Sequence, residues 1–273
     1  MAPRIVTAMA MASALMAASA YESEIETWRR ARETALKADG GWLTVTGLIW
    51  LAPGANRFGR DSANNIVLPD GPEHAGSFEL RQDKVTVAMD GVRREVKPDS
   101  ADMVKVGRLS LFVIKRGERY GIRLKDPASE YRREFRGLEY FPAREEYRVK
   151  AQFVAAPRQI AVLNILGQTE PSECPGYAEF QLRGHRVRLY PIVEEPGARE
   201  LFYIFRDQTS GKETYGAGRF LYSEFPQHGQ VELDFNKAYN PPCAFTPYAT
   251  CPLPPPENRL AVAVEAGEKK YGH

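Results

Sequence analysis

Oxygen-bearing side chains are concentrated near the carboxyl end of the sequence, on either side of a proline-rich stretch. Carboxylates brought together can act as general acid and base, and neighbouring amides and phenols can bind a hydroxylated ligand. Asp234, Glu265 and Glu268 are therefore candidate catalytic residues. The candidate ligand-binding residues of the same region are Asn236, Tyr239, Asn240 and Asn258. The alternative is that these polar groups bond backbone atoms that the prolines leave unsatisfied.

A second polar run, residues 207–215, precedes two glycines and then Arg219. The forked donors of an arginine can hold an anionic group of a ligand, so Asp207 and Arg219 are further candidates for ligand binding. A structural ion pair between them is the alternative interpretation.

Cysteine chemistry is a third candidate, because Cys243 could act as a nucleophile if a base lies near it. His228 is the histidine considered for that role. The sequence contains no GxSxG, HExxH, GxGxxG or P-loop pattern. With four histidines in the chain, we predict no metal site and no cofactor. An oxygen-ligated cation at Asp234, Asn236 and Glu265 is the open alternative.

The first twenty residues have the three parts of a secretory signal peptide. Arg4 precedes an apolar stretch, and residues 18–20 form a small-x-small cleavage site. We therefore predict that residues 1–20 are removed and that the protein is exported, to the periplasm or the medium. The apolar stretch is shorter than a membrane span, so the mature chain is expected to lack a transmembrane segment.

Export affects the interpretation of the cysteines, since thiols outside the cytoplasm tend to form disulfides. Cys243 and Cys251 enclose a short loop, and a disulfide there would stabilise the fold by about 2–3 kcal/mol. Cys174 would then be the unpaired thiol.

The elements that carry these residues are mostly β-strands. A capping-box pair, Ser23 and Glu26, predicts one amphipathic helix over residues 23–38. Short alternating runs after it predict many strands, including a 109–125 hairpin, a turn at Asp90-Gly91 and a final strand over 260–264. We predict a mainly β fold of sandwich or barrel type, with an N-terminal helix at 21–40, a sandwich-like half at 41–140 and a second β-rich half at 141–273.

The proline-rich tract itself contains seven prolines between Pro241 and Pro256. Proline fixes φ and lacks an N–H donor, so this stretch is predicted to be a long irregular connection. Such loops are often functional, and proline-stiffened backbone loses little entropy on ordering.

The same region carries a resemblance to a known family, in the tract that reads DFNKAYNPPCAFTPYATCPLPPPENRL and continues to EAGEK. It resembles the signature of domain of unknown function 1684, a bacterial and archaeal family. GWLTVTGLIWLAPGANRFG and IFRDQTSGKETYGAGRFL also match. The resemblance implies that the polar residues of the tract recur in relatives, which favours a site. It also leaves a paired-thiol or ligand role open for the two cysteines.

Net charge and composition limit the classes of function. A formal charge of +2 from 37 basic and 35 acidic residues gives no electrostatic basis for binding nucleic acid. We expect a small-molecule ligand in a pocket lined by residues 234–268. A hydrolase or transferase and an envelope protein-interaction module are the alternatives.

Overall fold

Short apolar runs that alternate with polar residues fold as β-strands through most of this chain. The computed structural model describes the backbone of residues 3–272 and the side chains of residues 20–272. The fold is mainly β, with several sheets and one long N-terminal helix, as the sequence predicts. The described chain divides into two compact units, which are presented separately below.

The first unit comprises Leu36–Arg136 together with residues 245–249. Its strands are β1 (Val45–Trp50), β2 (Gly54–Gly59), β3 (Ile66–Val67), β4 (Gly76–Arg81), β5 (Lys84–Met89), β6 (Val92–Glu95), β7 (Val104–Val106), β8 (Leu109–Arg116) and β9 (Arg119–Lys125). One sheet has the order β1-β9-β8-β7 and the other the order β3-β2-β4-β5-β6. A short helix, α2 (Glu130–Arg133), follows them.

Period-two burial builds the core of this unit. Leu109, Leu111 and Val113 of β8 are buried and pack in one cluster with Phe58 and Phe78 of the other sheet. Residues of both sheets thus share one apolar core, which is the arrangement of a β-sandwich. The two phenylalanine rings lie 4.9 Å apart between centroids.

A predicted turn and a predicted hairpin are confirmed in this unit. Asp90 and Gly91 both have positive φ, +53° and +76°, and join β5 to β6. Positive φ at both central residues defines the tight hairpin turn that Asp-Gly favours. The predicted 109–125 hairpin is formed by β8 and β9, which pair antiparallel from Ser110 with Lys125 to Arg116 with Arg119.

The second unit comprises the residues up to Ala35, Gly137–Ala244 and the residues from Thr250 onward. Its strands are β10 (Arg148–Leu163), β11 (Thr169–Leu182), β12 (His185–Leu189), β13 (Glu200–Phe205), β14 (Arg219–Glu224) and β15 (Gln230–Asp234). A four-stranded sheet has the order β12-β11-β10-β15, and β13 pairs with β14. Side chains of both sheets meet in a second apolar core.

The N-terminal helix, α1 (Pro3–Lys37), starts before the predicted position. Its end at Lys37 agrees with the prediction, but the predicted start at Ser23 is wrong. Backbone on both sides of Ser23 is helical, so Ser23 cannot act as an N-cap, and its carbonyl accepts a bond from the Thr27 hydroxyl (2.8 Å). The side chains of the predicted signal peptide, up to residue 19, lie outside the described residues. No helix among the described residues has the length and apolar character needed to cross a membrane.

The predicted strand at 260–264 is wrong, although its apolar residues are buried. Leu260, Val262 and Val264 belong to the core, but the segment has no continuous ladder with a neighbouring strand. Arg219 of β14 provides part of the missing pairing. It donates to the carbonyls of Ala266 and Val264, the latter at 2.8 Å, while Asp207 accepts from the Val264 N–H (3.2 Å).

Arg219 and Asp207 also pair with each other, at 2.9 Å, and neither side chain is exposed. Burial lowers the pKa of Arg219, whereas the adjacent Asp207 carboxylate favours its charged form. The carboxylate accepts two further bonds from Thr209. The pair is thus a fully buried, hydrogen-bonded contact that fixes the segment after the proline-rich tract.

Arg219→Met is expected to lower the free energy of unfolding by about 3–5 kcal/mol, because it leaves Asp207 buried without its partner and frees two carbonyls. The measurement is urea-induced unfolding followed by circular dichroism. Arg158→Met is the matched control in the same unit. It breaks a pair with Glu257 in which both side chains are exposed, and should change stability by at most about 1 kcal/mol. Equal small effects of the two substitutions would contradict this role of Arg219.

Candidate functional site

A cavity of about 740 Å³ lies in the second unit, next to the end of β15. Helix α1, strand β14, the turn between β14 and β15, and residues 237–239 contribute its walls. We call it the Trp28–Tyr239 cavity. Its lining residues are Trp28, Lys150, Glu200, Tyr222, Ser223, Glu224, Phe225, Gln227, His228, Gln230, Val231, Glu232, Asp234, Lys237 and Tyr239.

Strand alternation places the polar groups of this cavity. In β15, Val231 and Leu233 belong to the apolar core, so Gln230, Glu232 and Asp234 lie on the opposite face. The antiparallel register with β10 sets Lys150 opposite Glu232 on that face. Strand β15 thus has one apolar face in the core and one polar face at the cavity.

Four aromatic residues line the cavity, and three of them, Trp28, Tyr222 and Tyr239, lie near one another. The Tyr222 and Tyr239 rings are nearly parallel, at 13° and 6.3 Å between centroids. Trp28 lies 6.5 Å from Tyr239 with its ring tilted by 51°. Behind them, Phe202 stacks on Tyr222 at 4.8 Å. Burial raises the pKa of both tyrosine hydroxyls above the usual value.

Asp234 has one satisfied and one unsatisfied carboxylate oxygen. Its Oδ1 accepts bonds from the Tyr21 hydroxyl (2.9 Å), the Asn236 N–H (3.1 Å) and Asn236 Nδ2 (3.1 Å). Its Oδ2 is buried and has no hydrogen-bond partner among the described residues. The Lys237 ammonium lies 3.7 Å from Oδ2 but is bonded to Glu24 at 2.6 Å. Asp234 thus brings an acceptor that lacks a donor to the cavity wall.

Arg32 contacts both the Tyr239 ring and the backbone next to it. Its guanidinium lies 4.5 Å from the centre of the Tyr239 ring. It also donates to the Asn240 carbonyl (3.0 Å) and to Glu268 (3.0 Å). The other Glu268 oxygen accepts the Asn240 N–H at 2.8 Å. Because the ring and the residue after it are fixed together, Tyr239 has little freedom to move.

Glu268 is fully buried in this network. Burial raises its pKa, while Arg32 and the Asn240 N–H favour its charged form. Gly267 precedes it with φ of +77°, and a Cβ there would lie 2.3 Å from the Ala238 carbonyl. The close approach therefore requires glycine at this position.

The other candidate residues bind backbone or surface groups. Asn236 holds the N–H and carbonyl of Arg144, and Asn258 holds those of Tyr190. Glu265 lies at the surface against Arg183 at 3.0 Å. Asn240 donates to the Lys269 carbonyl, and its Oδ1 has no partner among the described residues.

Of the candidate residues, the structure therefore brings Asp234, Tyr239 and His228 to the cavity. Among the described lining residues, Asp234 is the candidate catalytic carboxylate present; Glu265 and Glu268 lie elsewhere, and Asp207 and Arg219 are fully buried. Among the described side chains, those of residues 20–272, no group of three or more His, Cys, Asp or Glu could hold a metal ion.

Sequence reasoning did not identify Trp28, Tyr222 or Arg32 as site residues. One signal was available for the helix: Arg32 follows Trp28 by four residues, and so shares the face that carries Ile25 and Leu36. A charge on an otherwise apolar helix face indicates a partner in the fold. Its partners, Tyr239 and Glu268, are more than 200 residues away, which no local pattern reveals.

The expected Cys243–Cys251 disulfide is not formed, and the two residues are separate thiols. The Cys251 sulfur instead accepts a hydrogen bond from the Cys243 N–H at 3.1 Å. The contact with Cys251 lowers the pKa of the Cys243 thiol, against the opposing effect of burial. The Tyr215 hydroxyl donates to the Cys243 carbonyl, while His228 lies in the wall of the cavity.

Iodoacetamide should therefore modify Cys243 first in the native protein, since this thiol is half-buried with a lowered pKa, whereas Cys174 and Cys251 are buried. After denaturation without reductant, mass spectrometry should find three modified cysteines. Cys243→Ser is the control and should remove the fast phase. A single modified cysteine in the denatured protein would mean that the disulfide exists.

Comparison with known proteins identifies the family to which this chain belongs. A family model described as "Protein of unknown function (DUF1684)" matches residues 133–269. No curated protein matches the chain. The solution NMR structure of an uncharacterized protein from Haloarcula marismortui is 34% identical; the alignment covers 50% of this chain and 78% of that chain, with a TM-score of 0.43. Since the model match extends from before β10 to Lys269 and takes in half of the chain, this protein belongs to the DUF1684 family.

Proposed function

We propose that this protein binds a small ligand in the Trp28–Tyr239 cavity. The observation that carries the proposal is that Asp234 lines the cavity while its buried Oδ2 atom has no hydrogen-bond donor among the described residues, the Lys237 ammonium lying 3.7 Å away. An unsatisfied buried acceptor costs about 1–3 kcal/mol, and more when it is charged. A ligand that displaces the side chains covering Oδ2 and donates to that atom would recover this energy.

The size and composition of the cavity support the same proposal. Ligand sites commonly measure about 300–1,000 Å³ and combine aromatic walls with a few polar groups. This cavity has about 740 Å³ and is lined by four aromatic residues and four carboxylates. The rings of Trp28, Tyr222 and Tyr239 make the cavity partly apolar, while Asp234 provides a polar group that would orient a ligand.

Rigidity around Tyr239 adds to the proposal. Arg32 contacts both the ring and the Asn240 carbonyl, and Glu268 is buried beneath the same backbone. A wall that is already ordered loses little entropy when a ligand binds. The proposal assigns binding, not a reaction, to this cavity.

A thermal-shift screen of sugars, polyols, amines, nucleosides and sugar acids tests the proposal. At a hundredfold excess over Kd, a ligand stabilises the folded state by about 2.7 kcal/mol, and each kcal/mol raises Tm by about 2–4 °C in a protein of this size. A compound that raises Tm for the wild type should raise Tm by about half as much or less in Asp234→Asn, since a tenfold loss of affinity reduces the stabilisation to about 1.4 kcal/mol.

Glu265→Gln is the control, because Glu265 lies on the tract but outside the cavity. It should keep the full shift in Tm. A ligand whose effect is equal in Asp234→Asn, or is lost in Glu265→Gln, would place binding elsewhere and contradict the proposal.

We further propose that the protein is exported after cleavage behind Ala20. The support is the signal-peptide pattern together with the burial of Tyr21. The Tyr21 side chain is 5% exposed and bonded to Asp234, whereas Ala20 is exposed. Cleavage at that point would keep the anchor of Asp234 in the mature protein.

Mass spectrometry of the protein from the extracytoplasmic fraction should find Tyr21 as its first residue. Ala20→Lys should block cleavage and leave the longer form, because signal peptidases require a small residue there. The full-length chain in the cytoplasm, unchanged by Ala20→Lys, would contradict export.

A further inference from the structure

The charges and contacts around the Trp28–Tyr239 cavity define the chemistry of its occupant. We propose that the ligand is an uncharged polyhydroxylated ring, such as a saccharide. This inference rests on the proposed function and narrows it to one class of compound.

The cavity wall disfavours anions. Four lining carboxylates, Glu200, Glu224, Glu232 and Asp234, exceed the two lysines, Lys150 and Lys237. One charge of each sign is already paired outside the lining, Glu232 with Arg148 at 2.7 Å and Lys237 with Glu24 at 2.6 Å, so the excess of carboxylates remains. Like charges in a partly buried site repel, and the repulsion is stronger than in water. The negative charge of the lining carboxylates would therefore repel a phosphate or carboxylate group of a ligand.

Organic cations fit the cavity poorly for a different reason. The natural place for an ammonium is next to Asp234 Oδ2, but the Lys237 ammonium already lies 3.7 Å from that atom. Ring faces also attract cations, yet the Arg32 guanidinium lies 4.5 Å over Tyr239 and reduces the pull of that ring on a second positive charge. Positive groups thus lie beside Asp234 and Tyr239, and the cationic probes below test Glu200 and Glu224 as the remaining places for a cation.

A neutral donor avoids both conflicts. A hydroxyl can donate to Oδ2 without adding a charge beside Lys237, and so satisfies the buried oxygen. The remaining polar wall includes Gln230, His228 and Glu224, which offer both donors and acceptors to further hydroxyls.

The aromatic rings account for the remaining face of such a ligand. Tyr222 and Tyr239 are nearly parallel and the plane of Trp28 is inclined by 51° to that of Tyr239, so three lining rings give the cavity apolar surface beside polar groups. A saccharide ring has the complementary character, since its faces carry C–H groups and its edge carries hydroxyls. Apolar contact on the face and hydrogen bonds at the edge would together fix its orientation.

Isothermal titration calorimetry of the full chain with three matched groups of probes tests the inference. The neutral group contains glucose, galactose, N-acetylglucosamine, maltose, cellobiose and myo-inositol. The cationic group contains choline, spermidine and glucosamine, and the anionic group contains glucuronate and glucose 6-phosphate. Comparing a sugar with its charged derivatives isolates the effect of charge on one scaffold, and comparing mono- with disaccharides separates free sugars from glycan chains.

We expect a neutral probe to bind more tightly than its charged derivatives. Its Kd should change less than about twofold between 50 and 500 mM NaCl, because screening acts on charged ligands. Asp234→Asn should weaken binding tenfold or more. Glu224→Gln, an exposed position in the wall, should weaken it severalfold without affecting the unfolding transition, and Glu265→Gln should leave Kd unchanged.

Two results would overturn the inference, and they differ in what they mean for the cavity. Tighter binding of choline, spermidine or a sugar acid that depends on Asp234 would refute the ligand class and keep the binding site. No binding by any of the three groups would refute both the class and the cavity as a ligand site.

Discussion

In the last part of this chain, the side chains of two arginines donate hydrogen bonds to backbone carbonyls, a role that a neighbouring strand has elsewhere in the fold. After β15 the described residues form no further strand, and the prolines remove backbone donors. Arg219 donates to the carbonyls of Val264 and Ala266, and Arg32 donates to the carbonyl of Asn240. Each arginine is paired with a fully buried carboxylate, Asp207 or Glu268. Since burying a charge is unfavourable without a partner, these contacts form together or not at all.

The position of the cavity follows from that constraint. Arg32 and Glu268 hold the backbone of Asn240 and the ring of Tyr239, and that ring then meets Tyr222 and Trp28. On the other side, β15 ends at Asp234, whose Oδ1 is fixed by three hydrogen bonds. The aromatic wall and the unsatisfied Oδ2 are thus held by separate contacts. Because Oδ2 is buried, a ligand in the cavity donates to it only after the side chains that cover it have shifted.

Local pattern predicted the parts of this structure that depend on local physics. Period-two alternation predicted the strands and the 109–125 hairpin, because the side-chain period decides which face is buried. The same pattern failed at 260–264, where apolar residues alternate but side chains of Arg219 and Asp207 replace a ladder. In the candidate site, Asp234 and Tyr239 were predicted from their chemistry. Trp28 was not, because its place beside them depends on helix packing across some 200 residues.

The most direct test of this account is a crystal structure of the protein with the tightest-binding neutral saccharide. The account predicts the sugar in the Trp28–Tyr239 cavity, with a hydroxyl within hydrogen-bond distance of Asp234 Oδ2 and a ring face against Tyr222 or Tyr239. A sugar bound at another surface, with Oδ2 turned to Lys237 and the cavity unoccupied, would contradict it.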